Sequence, residues 1–270
     1  MPEGPELKVT RDNLDIILKD KQISEFKILS GRYFPKEREP ENYKEFQTLL
    51  PLKIKEINVK GKLLYFIFEN NWVLLNTMGM SGRWTKTYQK HCHIEMEYGE
   101  DRQIWFCDPR RFGTIKILKD LNSLDKKLNT LGPDMLGNDI SVDKFLKIMR
   151  KHNKKNITKV LMDQSIISGC GNYIKSESLY RSCISPHNLL ENLNDTKIEK
   201  LYEEMRKVMK ESYESQGATI STYYDIDDKK GKYKFRFLVY GRDFDDHNNK
   251  VIRETTKDGR TSHWVSCIQN

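Results

Sequence analysis

The chain begins MPEGPELKVT, which places two prolines and two acidic residues directly at the start of a helical pattern. Removal of Met1 ahead of the small Pro2 would expose a secondary amine. A free α-amino group titrates near ~8, so roughly a tenth of it is already neutral and nucleophilic at pH 7. Because chain ends normally fray, carboxylates at Glu3 and Glu6 need a reason. The stretch is therefore either a catalytic N-terminus or an untidy leader.

Two further stretches have residues that could hold an anion. In SGCGNYIKSESLY, Gly169 and Gly171 permit a tight turn and Asn172 opens the next helix, and such a helix start is a ready anion site. An ordinary glycine turn between packed helices explains the same residues equally well. In DPRRFGTIKIL, an arginine pair and a phenylalanine leave a strand on a turn, for which a solvated loop is the commoner explanation.

The composition favours a polyanionic partner and gives no sign of a membrane segment. The 270 residues include 47 Lys and Arg against 39 Asp and Glu, a formal charge of +8. No apolar run reaches the ~18 residues that a membrane span needs. The N-terminal region also lacks the apolar core of a signal peptide.

The cysteines predict reduced thiols and no metal site. They stand at 92, 107, 170, 183 and 267, form no CxxC pair and are odd in number, which is typical of a reducing, intracellular compartment. His91, Cys92 and His93 are consecutive, but strand alternation would send neighbours to opposite faces. We therefore expect neither a bound metal nor any other cofactor.

Changes in pattern along the chain predict a mixed α+β protein. Pro5 opens an amphipathic helix, and from about Ile54 to Leu118 β-branched and apolar runs alternate with glycines, as in a strand-rich domain. The charged stretch with a Gly-Pro pair at 119–133 reads as a linker. Helical patterns follow at 142–150, 157–163, 172–180 and 196–215, the last with a capping box in Thr196 and Glu199. After Gly217, strands around the turns HNNK and KDGR indicate a small hairpin unit.

Seven motifs occur in an order that resembles the Fpg/Nei family of DNA glycosylases over nearly the whole chain. They are PEGPE, KGKLL, MGMSG, DPRRFG, LGPDML, GCGNYIKSESLY and FLVYGR…DGRTSHW. The start PEGPE and the helix VLMDQSIISGCGNY are closer to the Nei-like, endonuclease VIII-like branch. The resemblance implies an N-terminal two-layered β-sandwich with an N-terminal helix (1–118), a linker (119–133), a helix-two-turn-helix domain with a lesion-covering loop (134–226) and a C-terminal β-hairpin finger (227–270).

The finger departs from the zinc-bound form found in many members of the family. Residues 233–270 contain a single cysteine, Cys267, where a zinc-bound finger uses four. The sequence therefore predicts a zincless finger without a metal. Backbone pairing and apolar packing must hold it, with these residues as the candidates: Phe235, Phe237, Val239, Val251 and Trp264.

The resemblance also implies the chemistry, that of a bifunctional glycosylase and apurinic/apyrimidinic (AP) lyase of base excision repair. Pro2 would attack C1′ of a deoxyribose and displace the damaged base, and the resulting iminium would draw electrons from C2′, so that β,δ-elimination cuts the strand. Glu3 would be the general acid and base. Glu6 is expected to hydrogen-bond backbone near the site, and Lys62 of VKGKLL to contact the phosphate beside the lesion.

The family's DNA contacts carry over to seven further positions. Base extrusion leaves a void, which Met80, Arg110 and Phe112 would fill. Asn172 with its neighbour Tyr173, and Arg260 on the finger turn, would clamp phosphates around the flipped-out lesion nucleotide. Lys159 is a weaker candidate because its register is off by one. The stretch GATISTYYDIDDKKGKY corresponds to the loop that covers the extruded base and carries three acidic residues, Asp225, Asp227 and Asp228.

Three functions are compatible with these motifs. The Nei-like start favours oxidised pyrimidines as substrates, and an enzyme for oxidised purines of the formamidopyrimidine type is the nearest alternative. A catalytically silent architectural DNA-binding protein would need the basic clamp but not Pro2, Glu3 and Lys62, so their joint presence argues against it. The expected partner is damaged DNA, with no membrane, and we expect a monomer.

Overall fold

The computed structural model describes residues 2–34, 38–137, 140–218 and 237–270. Over these residues the chain divides into two compact units. The first comprises the chain up to Thr130 together with residues 215–218. The second comprises Leu131–Glu214 together with residues 237–270.

The described part of the first unit is built on eight antiparallel strands and three α-helices. The helices are α1 (Gly4–Leu18), α2 (Tyr43–Thr48) and α3 (Leu121–Asn129). The strands are β1 (Gln22–Ile28), β2 (Leu52–Lys60), β3 (Leu63–Phe68), β4 (Val73–Thr77), β5 (Arg83–Thr85), β6 (Cys92–Tyr98), β7 (Arg102–Cys107) and β8 (Thr114–Leu118). Their order in the sheet is β5-β7-β6-β1-β2-β3-β4-β8.

The sheet folds into two layers over one apolar core. Only two residue pairs, Gln22↔Lys53 and Ile23↔Leu52, join β1 to β2, so the sheet bends there. Trp84 on β5 lies 5.8 Å from the Phe66 ring on β3, and its Nε1 donates to Asn76 Oδ1 on β4 at 3.0 Å. Alternating inward side chains of both layers fill the space between them, as expected of a β-sandwich.

Residues 119–133, which the sequence predicts to be a linker, include helix α3. Asp120 caps this helix, since its Oδ1 accepts the Ser123 N–H at 2.7 Å, and Leu124 is buried. Lys60 Nζ donates to the carbonyl of Leu128 at 2.9 Å. The charged residues that suggest a linker lie on the solvent-exposed face of α3, a short helix of the first unit.

The expectation that all five cysteines are reduced is wrong for one pair. Cys92 and Cys107 stand directly opposite each other on β6 and β7 and are joined as a disulfide. The sequence interpretation relied on CxxC spacing and could not see a pairing produced by strand register. Cys170, Cys183 and Cys267 form no disulfide. The reducing compartment stays a prediction.

The second unit is helical and carries the finger hairpin. Its helices are α4 (Val142–Arg150), α5 (Ile157–Met162), α6 (Asn172–Arg181) and α7 (Asp195–Glu214), and its strands are β9 (Ile252–Thr255) and β10 (Thr261–Trp264). Asn194 caps α7 by accepting the Lys197 N–H at 2.9 Å, in place of the predicted Thr196 cap. Within the described residues, no helix has the length and apolar character to cross a membrane.

The described part of the finger packs on α6 through a small core and a buried carboxylate. Val239, Val251 and Val265 pack with Tyr180. The fully buried Glu177 accepts backbone N–H groups from residues 238–240 at 2.8–3.0 Å. Burial raises the pKa of Glu177, while the three N–H donors oppose that rise. Phe235 of the predicted finger core lies outside the described residues.

Candidate active site

The N-terminal residues are held in place by the first turn of α1. Pro2 is buried, and the Glu3 side chain is 2% exposed at the N-cap of the helix. Glu3 N donates to Glu6 Oε2 at 2.8 Å, and the second oxygen of Glu6 accepts the Ala218 N–H at 2.8 Å. A capping box therefore fixes the segment that sequence reasoning marked as reactive, and a contact from residue 218 reinforces it. This explains why an end that normally frays is ordered.

Lys62 lies on the two-residue turn between β2 and β3. Gly61 takes a φ of +57°, which favours glycine, so the turn places Lys62 at the tip of a hairpin whose strands pair up to Lys60 and Leu63. The Lys62 side chain is half-buried. Helix α1 packs against both β2 and β3, so the same two strands support the Lys62 turn and the helix that carries Glu3.

Met80, Arg110 and Phe112 lie on two adjoining turns. A Cβ on Gly79, whose φ is +59°, would come within 2.6 Å of Gly113 N, so only glycine permits this approach. The buried Asp108 joins the turns, since Oδ1 accepts the Ser81 hydroxyl and Oδ2 accepts the Gly113 N–H, both at 2.6 Å. The structure thus brings together the three residues predicted to fill the void.

The surface of these turns is unusual because it exposes an aromatic ring. Phe112 is 51% exposed, and the Arg110 guanidinium carbon lies 5.0 Å from its ring centroid. Arg32 donates to the carbonyls of Phe112 and Gly113 at 3.4 and 3.2 Å. The Phe112 ring is therefore exposed while its backbone is held in place. Such a ring can stack against a base, whereas a core residue would be buried.

Sequence reasoning missed the groups that support these turns. His93 Nε2 lies 3.0 Å from the carbonyl of Asp108, and Nδ1 lies 2.7 Å from Ser30 Oγ. Burial holds the pKa of His93 below its ordinary value. Asp108 belongs to the motif DPRRFG, which was a signal that could have found it. Ser30 and Arg32 carry no comparable signal, since only the fold brings them near.

In the second unit, Asn172 begins α6 directly after the glycine turn at 169–171. Gly171 is the N-cap of α6 and, having no side chain, provides no side-chain capping hydrogen bond at this end. Tyr173 is a core residue whose hydroxyl lies 3.0 Å from Ser212 Oγ. Its side chain is fully buried and is therefore not available to DNA. Lys159 is exposed on α5.

The finger turn 256–260 lies against the start of α6. Asn172 Nδ2 donates to the carbonyl of Thr261 at 2.8 Å, and Lys175 Nζ donates to Asp258 Oδ2 at 2.7 Å. Arg260 is exposed on this turn. The structure thus brings Asn172 and Arg260 onto adjoining elements. The predicted covering loop, with Asp225, Asp227 and Asp228, lies outside the described residues.

Comparison with known proteins identifies the family. Residues 1–115 match the formamidopyrimidine-DNA glycosylase N-terminal domain, and residues 131–224 match the formamidopyrimidine-DNA glycosylase H2TH domain. The chain is 32% identical to the formamidopyrimidine-DNA glycosylase of Rickettsia felis over 100% of this chain and 98% of that one. It is 30% identical to the enzyme of that name from Ureaplasma parvum, over the whole of both chains.

Solved structures agree with this assignment. The MutM (Fpg) protein of Thermus thermophilus superimposes with a TM-score of 0.87 at 26% identity, over 99% of this chain and 98% of that one. The complex of Lactococcus lactis Fpg with DNA containing an abasic site has a TM-score of 0.88 at 22% identity, over 99% of each chain, and supports the fold alone.

The chain belongs to the formamidopyrimidine-DNA glycosylase family, the Fpg/Nei family of DNA glycosylases. The family and the α+β fold expected from the motifs are confirmed, as is the class of enzyme. These relatives carry the formamidopyrimidine name, so the Nei-like branch and its preference for pyrimidines stay predictions.

Proposed function

We propose that the protein is a bifunctional DNA glycosylase and AP lyase that excises oxidised bases from damaged DNA. The observation that carries the proposal is the buried Glu3 at the start of α1, directly after Pro2 and held by Glu6. The capping box that orders this segment also holds the Glu3 carboxylate next to Pro2, and a proton carrier beside an amine nucleophile must be held in such a fixed position.

The reaction follows from these groups. The Pro2 nitrogen, freed by removal of Met1, attacks C1′ as the bond from C1′ to the base breaks; the electron pair leaves with the base, which takes up the proton that the Pro2 nitrogen loses. Glu3 protonates the ring oxygen, and the ring opens to an iminium between Pro2 and C1′. The Glu3 carboxylate then accepts the C2′ proton as the 3′ phosphate leaves, loss of the C4′ proton expels the 5′ phosphate, and water adds to C1′ and breaks its bond to the Pro2 nitrogen.

The first unit would also hold the opened duplex. Lys62 would contact the phosphate beside the lesion, as a cation on a rigid hairpin turn can. Met80, Arg110 and Phe112 would enter the space that the extruded base leaves, which is supported by the exposure of Phe112 and the network around Asp108. In the second unit, Asn172 and Arg260 would bind phosphates, and the exposed Lys159 would add charge.

Two classes of lesion are proposed as substrates. The PEGPE start favours oxidised pyrimidines, whereas the names of the relatives from Rickettsia felis and Ureaplasma parvum favour formamidopyrimidines derived from purines. Parallel assays on both lesions in otherwise identical duplexes separate these preferences.

The test combines lesion duplexes with borohydride. The protein should be trapped on an abasic site and on its preferred lesion, and the mature mass should start at Pro2. Glu3→Gln should lose base excision far more than DNA binding and should retain more activity on a preformed abasic site. The control is Glu203→Gln, an exposed change of the same kind on α7. Retained Met1 with trapping through another residue, or full excision by Glu3→Gln, would refute the mechanism.

A further inference from the structure

A fully buried ion pair joins α6 to the finger turn. The side chains of Lys175 and Asp258 are 0% and 2% exposed, and their Nζ and Oδ2 atoms lie 2.7 Å apart. Taking two charges out of water is costly, and well-packed apolar residues often stabilise a protein at least as well. Stability alone therefore does not explain the pair. What an ion pair does supply, and an apolar contact does not, is a defined orientation of the elements it joins.

The carboxylate of Asp258 extends this contact to Arg260. Asp258 Oδ1 accepts the Thr256 hydroxyl at 2.6 Å, and Thr256 N donates to the Arg260 carbonyl at 3.0 Å. The Thr256 Oγ1 also lies 2.7 Å from Ser262 Oγ. Burial opposes ionisation of Asp258, but the hydrogen bonds from Lys175 and Thr256 outweigh it and lower its pKa. The turn is thus fixed on both sides of Arg260, whose side chain projects outward and is exposed.

The other end of the pair lies one helical turn from Asn172. Because Asn172 and Lys175 are three residues apart on α6, they share a face of the helix. Asn172 Nδ2 holds the carbonyl of Thr261, the residue that follows Arg260. The pair therefore fixes the spacing between the N-terminus of α6 and the finger arginine.

We propose that Lys175 and Asp258 are positioning residues that hold the finger turn against the N-terminus of α6, so that Arg260 and Asn172 grip phosphates of one DNA strand together. This inference rests on the proposed function of Arg260. The pair touches no DNA and acts through the orientation of the arginine. A guanidinium needs such orientation, since its planar fork binds phosphate by two directed hydrogen bonds.

The experiment is a double-mutant cycle on DNA affinity. The pair is removed in Lys175→Met/Asp258→Asn, which deletes both charges of the pair together and keeps an oxygen for the Thr256 hydroxyl. Affinity for a duplex with an abasic-site analogue is measured for this variant, for Arg260→Ala and for the combination, across a range of salt concentrations. The control is Arg253→Ala, an exposed finger arginine paired with Asp243.

The pair variant should remain folded by melting temperature and bind DNA about 10-fold more weakly, with the dependence of log affinity on log salt reduced by about 0.9 for one lost phosphate contact. In the Arg260→Ala background, removing the pair should change affinity by less than 2-fold. Arg253→Ala should keep a near-normal affinity.

The possible failures are distinguishable. If Arg260→Ala weakens binding but the folded pair variant binds like the wild type, or if the two effects multiply, the positioning role is wrong and the proposed function stands. If Arg260→Ala itself changes neither affinity nor salt dependence, the phosphate contact fails and the positioning role fails with it. If the pair variant does not fold, Lys175→Gln/Asp258→Asn, which removes both charges but keeps two side chains that can hydrogen-bond each other, is tested in the same cycle against the same outcomes.

Discussion

Replacing Glu6 by glutamine should disturb both the stability of the first unit and the chemistry at Pro2. The Glu6 side chain is 0% exposed, and its two oxygens accept the N–H groups of Glu3 and Ala218 at 2.8 Å each. Glutamine preserves the size but has a single oxygen, so its NH2 group must face one of these two donors. One hydrogen bond is lost, and a buried N–H is left without an acceptor.

The magnitude follows from those contacts. A hydrogen bond to a charged group contributes about 1.5–3 kcal/mol, and the unsatisfied N–H overlaps with that loss. Removing a carboxylate from the first turn of α1 adds about 0.3–1 kcal/mol through the helix dipole. We expect a total loss near 2–3 kcal/mol, which corresponds to a melting temperature lower by about 5–10 °C. A displaced Glu3 should slow base excision by roughly 100-fold.

The assay measures melting temperature and single-turnover excision side by side. Glu203→Gln on the exposed surface of α7 is the control and should change neither quantity. Trapping on a preformed abasic site should fall less than excision, because the base has already left. A Glu6→Gln protein with wild-type melting and wild-type excision would show that Glu6 does not hold the reactive segment, and the reasoning from its two contacts would be refuted.

Three further predictions concern the finger and the exposed ring. Exhaustive chelation should leave melting and lesion cleavage unchanged, because the described part of the finger offers no cluster of metal-ligating side chains; stoichiometric zinc by elemental analysis would contradict this. Burial, together with the nearby Arg253 and Lys175, lowers the pKa of His263 to about 4. The neutral ring accepts the Gly241 N–H at 2.8 Å. The folded state therefore loses stability as pH falls from about 6.5 towards 4, because the unfolded chain takes up the proton first. After allowance for its partial exposure we expect about 1 kcal/mol, seen as a fall of about 2–4 °C in melting temperature that His263→Gln should lack. Phe112→Ala should barely change the melting temperature, because the ring is 51% exposed. It should lower the rate of base excision roughly ten-fold, as the loss of about 1–3 kcal/mol of stacking implies. A wild-type excision rate in this variant would argue against the stacking role.

The sequence by itself determined whatever depends on local pattern. Pro5 and the apolar pattern after it predicted a helix that starts just after Pro2 and Glu3, and α1 begins at Gly4, one residue before Pro5. Alternating apolar residues predicted the strand-rich first half, and the glycines around Cys170 predicted the turn before α6. The order of the motifs along the chain predicted the family.

Only the tertiary structure decided which distant groups support those motifs. Asp258 meets Lys175 across 83 residues, and Ala218 meets Glu6 across 212. The register of two strands joins Cys92 to Cys107. Tyr173, which the family motif assigns to DNA binding, has its side chain buried in the core. Helical and strand periods report which face of an element is buried but not what covers it, because the partner is chosen by packing and hydrogen bonding between segments far apart in the chain.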